Sequence, residues 1–274
     1  VAILSRDYAY LSSKVYDHLP INHYIISSLT PSGEEYQVID VLEDGVTGYY
    51  GIIFKNISTG DIVVSHCGTE FETDTFRDLI VTDVQMAVAE INQQLPFALF
   101  LVNRAIEIAI QDGGGRSNVS VTGHSLGGAL AQMTAVAFGL YGETFNAYGP
   151  ADLIGDSPGG SNLINHVRIT DIVGAAGRHI GELRIYASER DVDLVVPLSQ
   201  IPIPISEYWA QVMDRMPFGA NSTHGPEQFY ELTGAHEFIA DLNHIQRYND
   251  NKFWYSAYRA GIRTAANGAD VVLA

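Results

Sequence analysis

The sequence predicts an α/β fold with a mainly parallel central sheet flanked by helices, spanning residues 1–274 as one domain. Three observations carry the prediction. Strand-like runs alternate with apolar patterns of helical period through most of the chain. With 274 residues, 46% hydrophobic and 17% charged, the chain is long and apolar enough for one large core. No internal repeat or low-complexity linker divides it.

The elements follow in order. Ile3, Leu4, Tyr8, Leu11 and Val15 recur at helical spacing, so residues 1–18 read as a helix. Pro20, Pro31 and Gly33 punctuate the loop after it. Runs at 36–42, 49–56 and 61–66 read as strands joined by Glu43-Asp44-Gly45 and Ser58-Thr59-Gly60-Asp61, an antiparallel meander leading to the buried strand Ile62-Val63-Val64. Residues 73–94 read as one helix. Pro96 opens a second that runs to about Gln111, where Gly113-Gly114-Gly115 stops it. A short strand at 118–122 precedes residues 126–140, whose small and apolar side chains predict a helix buried all round. Strands at 144–148, 166–170 and 183–187 alternate with loops. Residues 192–221 hold four of the ten prolines and form an apolar excursion. Residues 226–262 look helical, with a break near Asn249.

Composition narrows the function. The 32 acidic residues outnumber the 15 basic ones, for a formal charge of −17 spread over both halves. Such a surface repels phosphate backbones, so no nucleic-acid partner is expected. No apolar run reaches the eighteen residues of a membrane span. Cys67 is the single cysteine, which leaves no internal disulfide and no zinc spacing. The first residues lack a signal-peptide pattern and begin at Val1, and a processed or trimmed start is expected.

The most informative stretch is Gly123-His124-Ser125-Leu126-Gly127, a G-x-S-x-G between a predicted strand and a predicted buried helix. That context makes a nucleophile elbow. The turn is too sharp for side chains at 123 and 127, and it lifts the Ser125 hydroxyl above the sheet edge. The Leu126 amide, at the start of the helix, points to where an oxyanion would form. His124 reads as a hydrogen-bonding residue beneath the turn rather than as a base.

Thr122-Gly123-His124-Ser125-Leu126-Gly127-Gly128-Ala129 resembles the elbow of the class 3 lipase family of α/β-hydrolases, which holds triacylglycerol lipases, phospholipases A1 and feruloyl esterases. Ile62 to Glu70 is similar to that family's strand and oxyanion turn, with Cys67 in place of the family's arginine. Phe76-Arg77-Asp78-Leu79 is similar to the pattern that follows it. The resemblance covers roughly residues 36 to 230. It implies that Thr69 supplies a second oxyanion donor beside Leu126.

A serine hydroxyl needs a histidine base, and the base needs a carboxylate to hold its tautomer. The expected chain order is serine, acid, histidine. Asp171 directly follows the predicted strand 166–170, and Asp171-Ile172-Val173 resembles the family's acid segment. Asp152, Asp156, Asp191 and Asp193 sit among Gly, Pro and other charges and read as loop residues. For the base three histidines compete. His224 leads, because small residues before it and Gly225-Pro226 after it make a loop turning into a helix. His244 is the alternative, and His236 follows. His179 reads as a hydrogen-bonding loop residue with a second reading at the site rim.

These residues predict a serine carboxylester hydrolase acting on lipids, a triacylglycerol lipase or phospholipase A1. Alternatives are a small-ester or feruloyl esterase, a toxin domain of lipase type, and a non-catalytic scaffold. Two apolar stretches flank the expected cleft. Residues 82–96 are expected as a lid, and the methionine- and proline-bearing excursion 192–221 as an acyl-binding wall. Arg168, Arg178, Arg184 and Arg190 read as scattered surface charges. The chemistry requires no metal. A faint Gly-Asp repeat in Asn267–Ala274 leaves calcium as a minor expectation. The expected partner is lipid at a membrane or micelle interface, and the expected location is secreted or exported.

Overall fold

Among the described residues eight strands form one sheet in sequence order, the first half antiparallel and the second half parallel. The computed structural model describes residues 3–68, 84–154, 162–189, 191–193, 224–230, 250 and 252–268. Helix α1 (Ser5–Lys14) is followed by β1 (Tyr24–Ile25), β2 (Tyr36–Asp44), β3 (Tyr49–Asn56) and β4 (Ile62–His66), paired antiparallel in turn. Then come helix α2 (Val84–Gln111), β5 (Val119–His124), helix α3 (Ser125–Phe138) and β6 (Tyr141–Phe145). Strand β7 (Leu163–Arg168), the short helix α4 (Val173–Ala176), β8 (Glu182–Tyr186) and helix α5 (Lys252–Gly268) complete the described elements. Strands β4 to β8 run parallel.

Period-two alternation splits the side chains between the two faces. Ile62 and Val64 of β4 join the core under α2, α3 and α5, while Val63 joins Tyr8 and Leu11 of α1, and Val15 just after it, on the opposite face. The parallel strand β5 is buried along its whole length, as a strand covered on both faces must be. Two of its polar residues bond to α1. The Tyr8 hydroxyl donates to Ser120 Oγ at 2.9 Å, and Thr122 Oγ1 donates to the Tyr8 carbonyl at 3.2 Å.

Beneath the same face lies a buried polar relay. His166 Nε2 meets Glu143 Oε2 at 2.7 Å, and the Tyr141 hydroxyl donates to the other carboxylate oxygen at 2.5 Å. The Tyr186 hydroxyl meets His166 Nδ1 at 2.8 Å. These hydrogen bonds outweigh the burial that would otherwise raise the Glu143 pKa, and hold it below the ordinary carboxylate value.

Two expectations change. The stretch 84–96, expected as a lid, is the first half of α2, and Ala87 and Ile91 are buried in the core. Residues 82–83 lie outside the described ones. Pro96, expected to open a new helix, sits inside α2. It removes one backbone donor, and the carbonyl it deserts belongs to Asn92, which is exposed and can bond to water instead. Residues 194–221 of the apolar excursion lie outside the described residues. So does most of the expected helix after Pro226, where a 3-10 turn at Pro226–Phe229 and α5 are seen.

Candidate active site

The turn from β5 into α3 puts Ser125 at φ +58°, a left-handed conformation that a non-glycine residue adopts only when its surroundings enforce it. The enforcing contacts are visible at the glycines. A Cβ on Gly123 would collide with the backbone of Gly127 and Gly128, and one on Gly127 with the His66 carbonyl, Cys67 and Gly68. The elbow and the turn after β4 therefore touch backbone to backbone. Leu126, whose amide is among the first-turn donors with no intrahelical acceptor, is 2% exposed. Gly68 ends the described part of the oxyanion turn. Thr69 lies outside it.

Asp171 and His224 come together. The His224 Nδ1–H donates to Asp171 Oδ2 at 2.7 Å, and the Gly174 amide donates to Asp171 Oδ1 at 2.6 Å. Both carboxylate oxygens are thus committed, and the carboxylate is 3% exposed. The His224 ring lies against that of His124, the residue before Ser125, with centroids 4.4 Å apart. His236 and His244 lie outside the described residues.

Buried arginines brace the acid segment. Arg168, expected at the surface, is buried. Its Nε and Nη2 donate to Asp191 Oδ2 at 3.1 and 2.5 Å, and its Nη1 donates to Gln228 on the segment after His224 at 3.1 Å. Asp191, expected as a loop residue in solvent, is fully buried and also accepts from Thr170 Oγ1. Arg259 of α5 donates to the Gly174 carbonyl at 2.8 Å, and burial pushes its pKa down to about 10 while the nearby Asp171 opposes the fall. Arg178 pairs at the surface with Asp152, and Arg184 pairs with Glu182. Asp156 and Arg190 are outside the described residues, and Asp193 is exposed.

His124 is neutral by its contacts. Its Nε2–H donates to the His224 carbonyl at 2.8 Å, and its Nδ1 accepts from the Tyr16 hydroxyl at 3.1 Å. That hydroxyl in turn accepts from the Gly68 amide at 3.1 Å. Burial pushes the His124 pKa well below its ordinary value. His66, fully buried between Tyr49 and Thr134, is pushed down to about 3, and His179, whose Nε2–H donates to the Gly174 carbonyl at 2.9 Å, to about 4.

This has a direct consequence for stability. Above pH 6.5 such histidines are neutral in both the folded and unfolded chain, and their full contribution is present. Below it only the unfolded chain takes up the proton, so stability falls as pH falls toward the folded-state value. His66 should cost about 2 kcal/mol between pH 7 and pH 5, and His124 shifts stability in the same direction. Urea midpoints at the two pH values measure this, and equal midpoints would refute it.

Tyr16, Asn146, Gln228 and Arg259 escaped the sequence reading. Asn146 fell inside the run 144–148 read as a strand, whereas β6 ends at Phe145 and Asn146 turns left-handed at φ +44°, a conformation asparagine tolerates. Among the described residues no group of His, Cys, Asp and Glu is arranged to hold a metal ion. Nor is any described helix long and apolar enough to cross a membrane.

A strand-to-helix serine elbow on a mostly parallel sheet flanked by helices defines the α/β-hydrolase fold, and the family match that follows makes the chain a lipase-like carboxylic ester hydrolase. The chain belongs to the phospholipase-like family described as the Tle-like phospholipase domain, whose model matches residues 7–155, from α1 through the elbow to the turn beyond β6. The chain is also similar to solved structures. A triacylglycerol lipase from Penicillium expansum is 17% identical and covers 66% of this chain and 77% of its own, at a TM-score of 0.50. A lipase from Rhizopus microsporus var. chinensis is 19% identical and covers 62% and 67%, at 0.46. The Rhizomucor miehei lipase in its propeptide complex is 18% identical and covers 66% and 67%, at 0.48. No curated protein matches the chain.

Proposed function

We propose that this chain hydrolyses acyl esters of glycerophospholipids by serine catalysis, with Ser125 as nucleophile, His224 as base and Asp171 as its carboxylate. The observation that carries the reading is the 2.7 Å His224–Asp171 hydrogen bond set against the strained elbow. The family's phospholipase description favours phospholipid over triacylglycerol.

In this reading Ser125 Oγ attacks the ester carbonyl while His224 Nε2 takes its proton. Asp171 holds the opposite Nδ1–H and stabilises the imidazolium that forms. The amides of Leu126 and Thr69 receive the oxyanion. The tetrahedral intermediate collapses, the imidazolium returns the proton to the departing alcohol, and the acyl group stays on Ser125. Water, deprotonated by His224, then releases the fatty acid. The sequence needs no cofactor. The charge of −17 disfavours anionic interfaces, so zwitterionic lipid is the first substrate to test.

The test compares zwitterionic phospholipid micelles, triacylglycerol emulsions and p-nitrophenyl esters of two to sixteen carbons. Fatty-acid release from phospholipid with rates rising with chain length supports the proposal. Release from triacylglycerol alone would move the reading to a lipase. Activity confined to acetate and butyrate would move it to a small-ester esterase.

A further inference from the structure

We propose that Asn146 is a positioning residue of this site, locking the backbone of the base to the strand that carries the acid. The inference rests on the catalytic reading above and deepens it. Asn146 directly follows β6, is fully buried and sits at φ +44°, one of four described non-glycine residues with positive φ. Glycine adopts that conformation at less cost. An asparagine there points to use of its side chain.

Each polar atom has a defined task. The backbone N–H donates to the His166 carbonyl at 2.8 Å, which extends the pairing of β6 with β7. The side-chain Oδ1 accepts from the Arg168 amide at 2.8 Å, three residues before Asp171. That contact requires an acceptor and so sets the amide's orientation. The Nδ2 then faces the His224 carbonyl and donates to it at 2.8 Å. This carbonyl also accepts from His124 Nε2 at 2.8 Å. Two donors on one carbonyl occupy both lone-pair directions and fix the peptide plane after His224, and with it the direction in which the imidazole leaves the backbone. Two residues on, the Tyr148 amide donates to the Ser125 carbonyl at 3.2 Å, and Ala147 packs against Gly128 of the elbow helix. The segment 146–148 therefore bonds to the nucleophile, the base and the acid strand at once.

A base whose loop loses one tie is displaced along its proton-transfer path. The substrate's binding surface is unaffected, so the loss should appear in kcat and not in KM. Two variants isolate the amide. Asn146→Gly keeps the left-handed backbone and removes both side-chain bonds. Asn146→Asp keeps the shape and the acceptor toward Arg168, but replaces the donor facing His224 with a second acceptor. With p-nitrophenyl butyrate, kcat is expected to fall roughly 10- to 100-fold in both, with KM within twofold of wild type. The rate of covalent labelling of Ser125 by a fluorophosphonate should fall in parallel. If wild type is labelled at Ser125 and both variants match its kcat and labelling rate, the inference is overturned alone. If wild type is not labelled at Ser125, the catalytic reading itself fails and takes the inference with it. Loss of the cooperative unfolding transition in both variants would also overturn it, since the amide would then serve the fold and not the site.

Discussion

Replacing Ser125 by alanine should lower kcat by at least about 10⁴-fold for every ester the wild type cleaves. The substitution deletes one oxygen from a residue that is 4% exposed and held at φ +58°. Alanine and serine pay nearly the same for that conformation, and the enforcing contacts come from Gly123, Gly127 and the backbone after β4, which do not change. The melting temperature should therefore stay within a few degrees of wild type, while activity collapses. Any remaining rate reports oxyanion stabilisation and binding without a nucleophile. Steady-state kinetics and thermal unfolding on the same preparation measure both. A folded Ser125→Ala variant with more than a tenth of wild-type kcat would remove Ser125 from the mechanism.

The second large effect is expected at Asp171→Asn, again about 10⁴-fold in kcat. The local hydrogen bonds dictate how the new amide must sit. The Gly174 amide donates to Oδ1 at 2.6 Å, so an asparagine keeps its oxygen on that side. Its NH₂ group then faces His224 Nδ1, where the carboxylate Oδ2 accepts at 2.7 Å in the native chain. A donor at that position obliges Nδ1 to accept, which moves the imidazole proton to Nε2, the atom that must take the serine proton. The base is present and in place but in the wrong tautomer. The variant also removes the Asp171 charge that favours the charged form of buried Arg259, so a lower melting temperature should accompany the loss of rate. A kcat within tenfold of wild type would exclude Asp171 as the carboxylate of the site.

Much of this was legible in the residues. The strands were readable because turn chemistry bounds them, and the observed Tyr49–Asn56 coincides with the run read from sequence. The elbow was legible because its glycines answer a steric demand that the contacts of Gly123 and Gly127 display. Asp171 was named for its place after a strand and His224 as the leading one of three histidines, and their side chains meet at 2.7 Å. What failed shares one cause. Pro96 was read by its local propensity, and tertiary burial of Ala87 and Ile91 carries the helix through it. Arg168 and Asp191 were read as solvent-facing because charges usually are. Each is 23 residues from the other, and only the fold could reveal that they neutralise one another in the interior. Asn146 was read as part of the strand 144–148, and its role was not legible because its partners at 168 and 224 are distant in sequence.

The distance along the chain between nucleophile and base also sets an order of events during synthesis. The elbow is built mainly from β4, β5, the first turn of α3 and Tyr16 just after α1, all of which precede Phe138, with one further bond from the Tyr148 amide. The residue proposed as base comes about a hundred positions later, and its carbonyl is held by His124 and Asn146, which are by then in place. At ribosomal speeds of roughly 5–20 residues per second, the serine turn exists for about 5–20 s without its base. A nascent chain in that interval has a nucleophile with nothing to deprotonate it. On the catalytic reading proposed above, a chain that stops short of residue 224 carries the serine turn without its base.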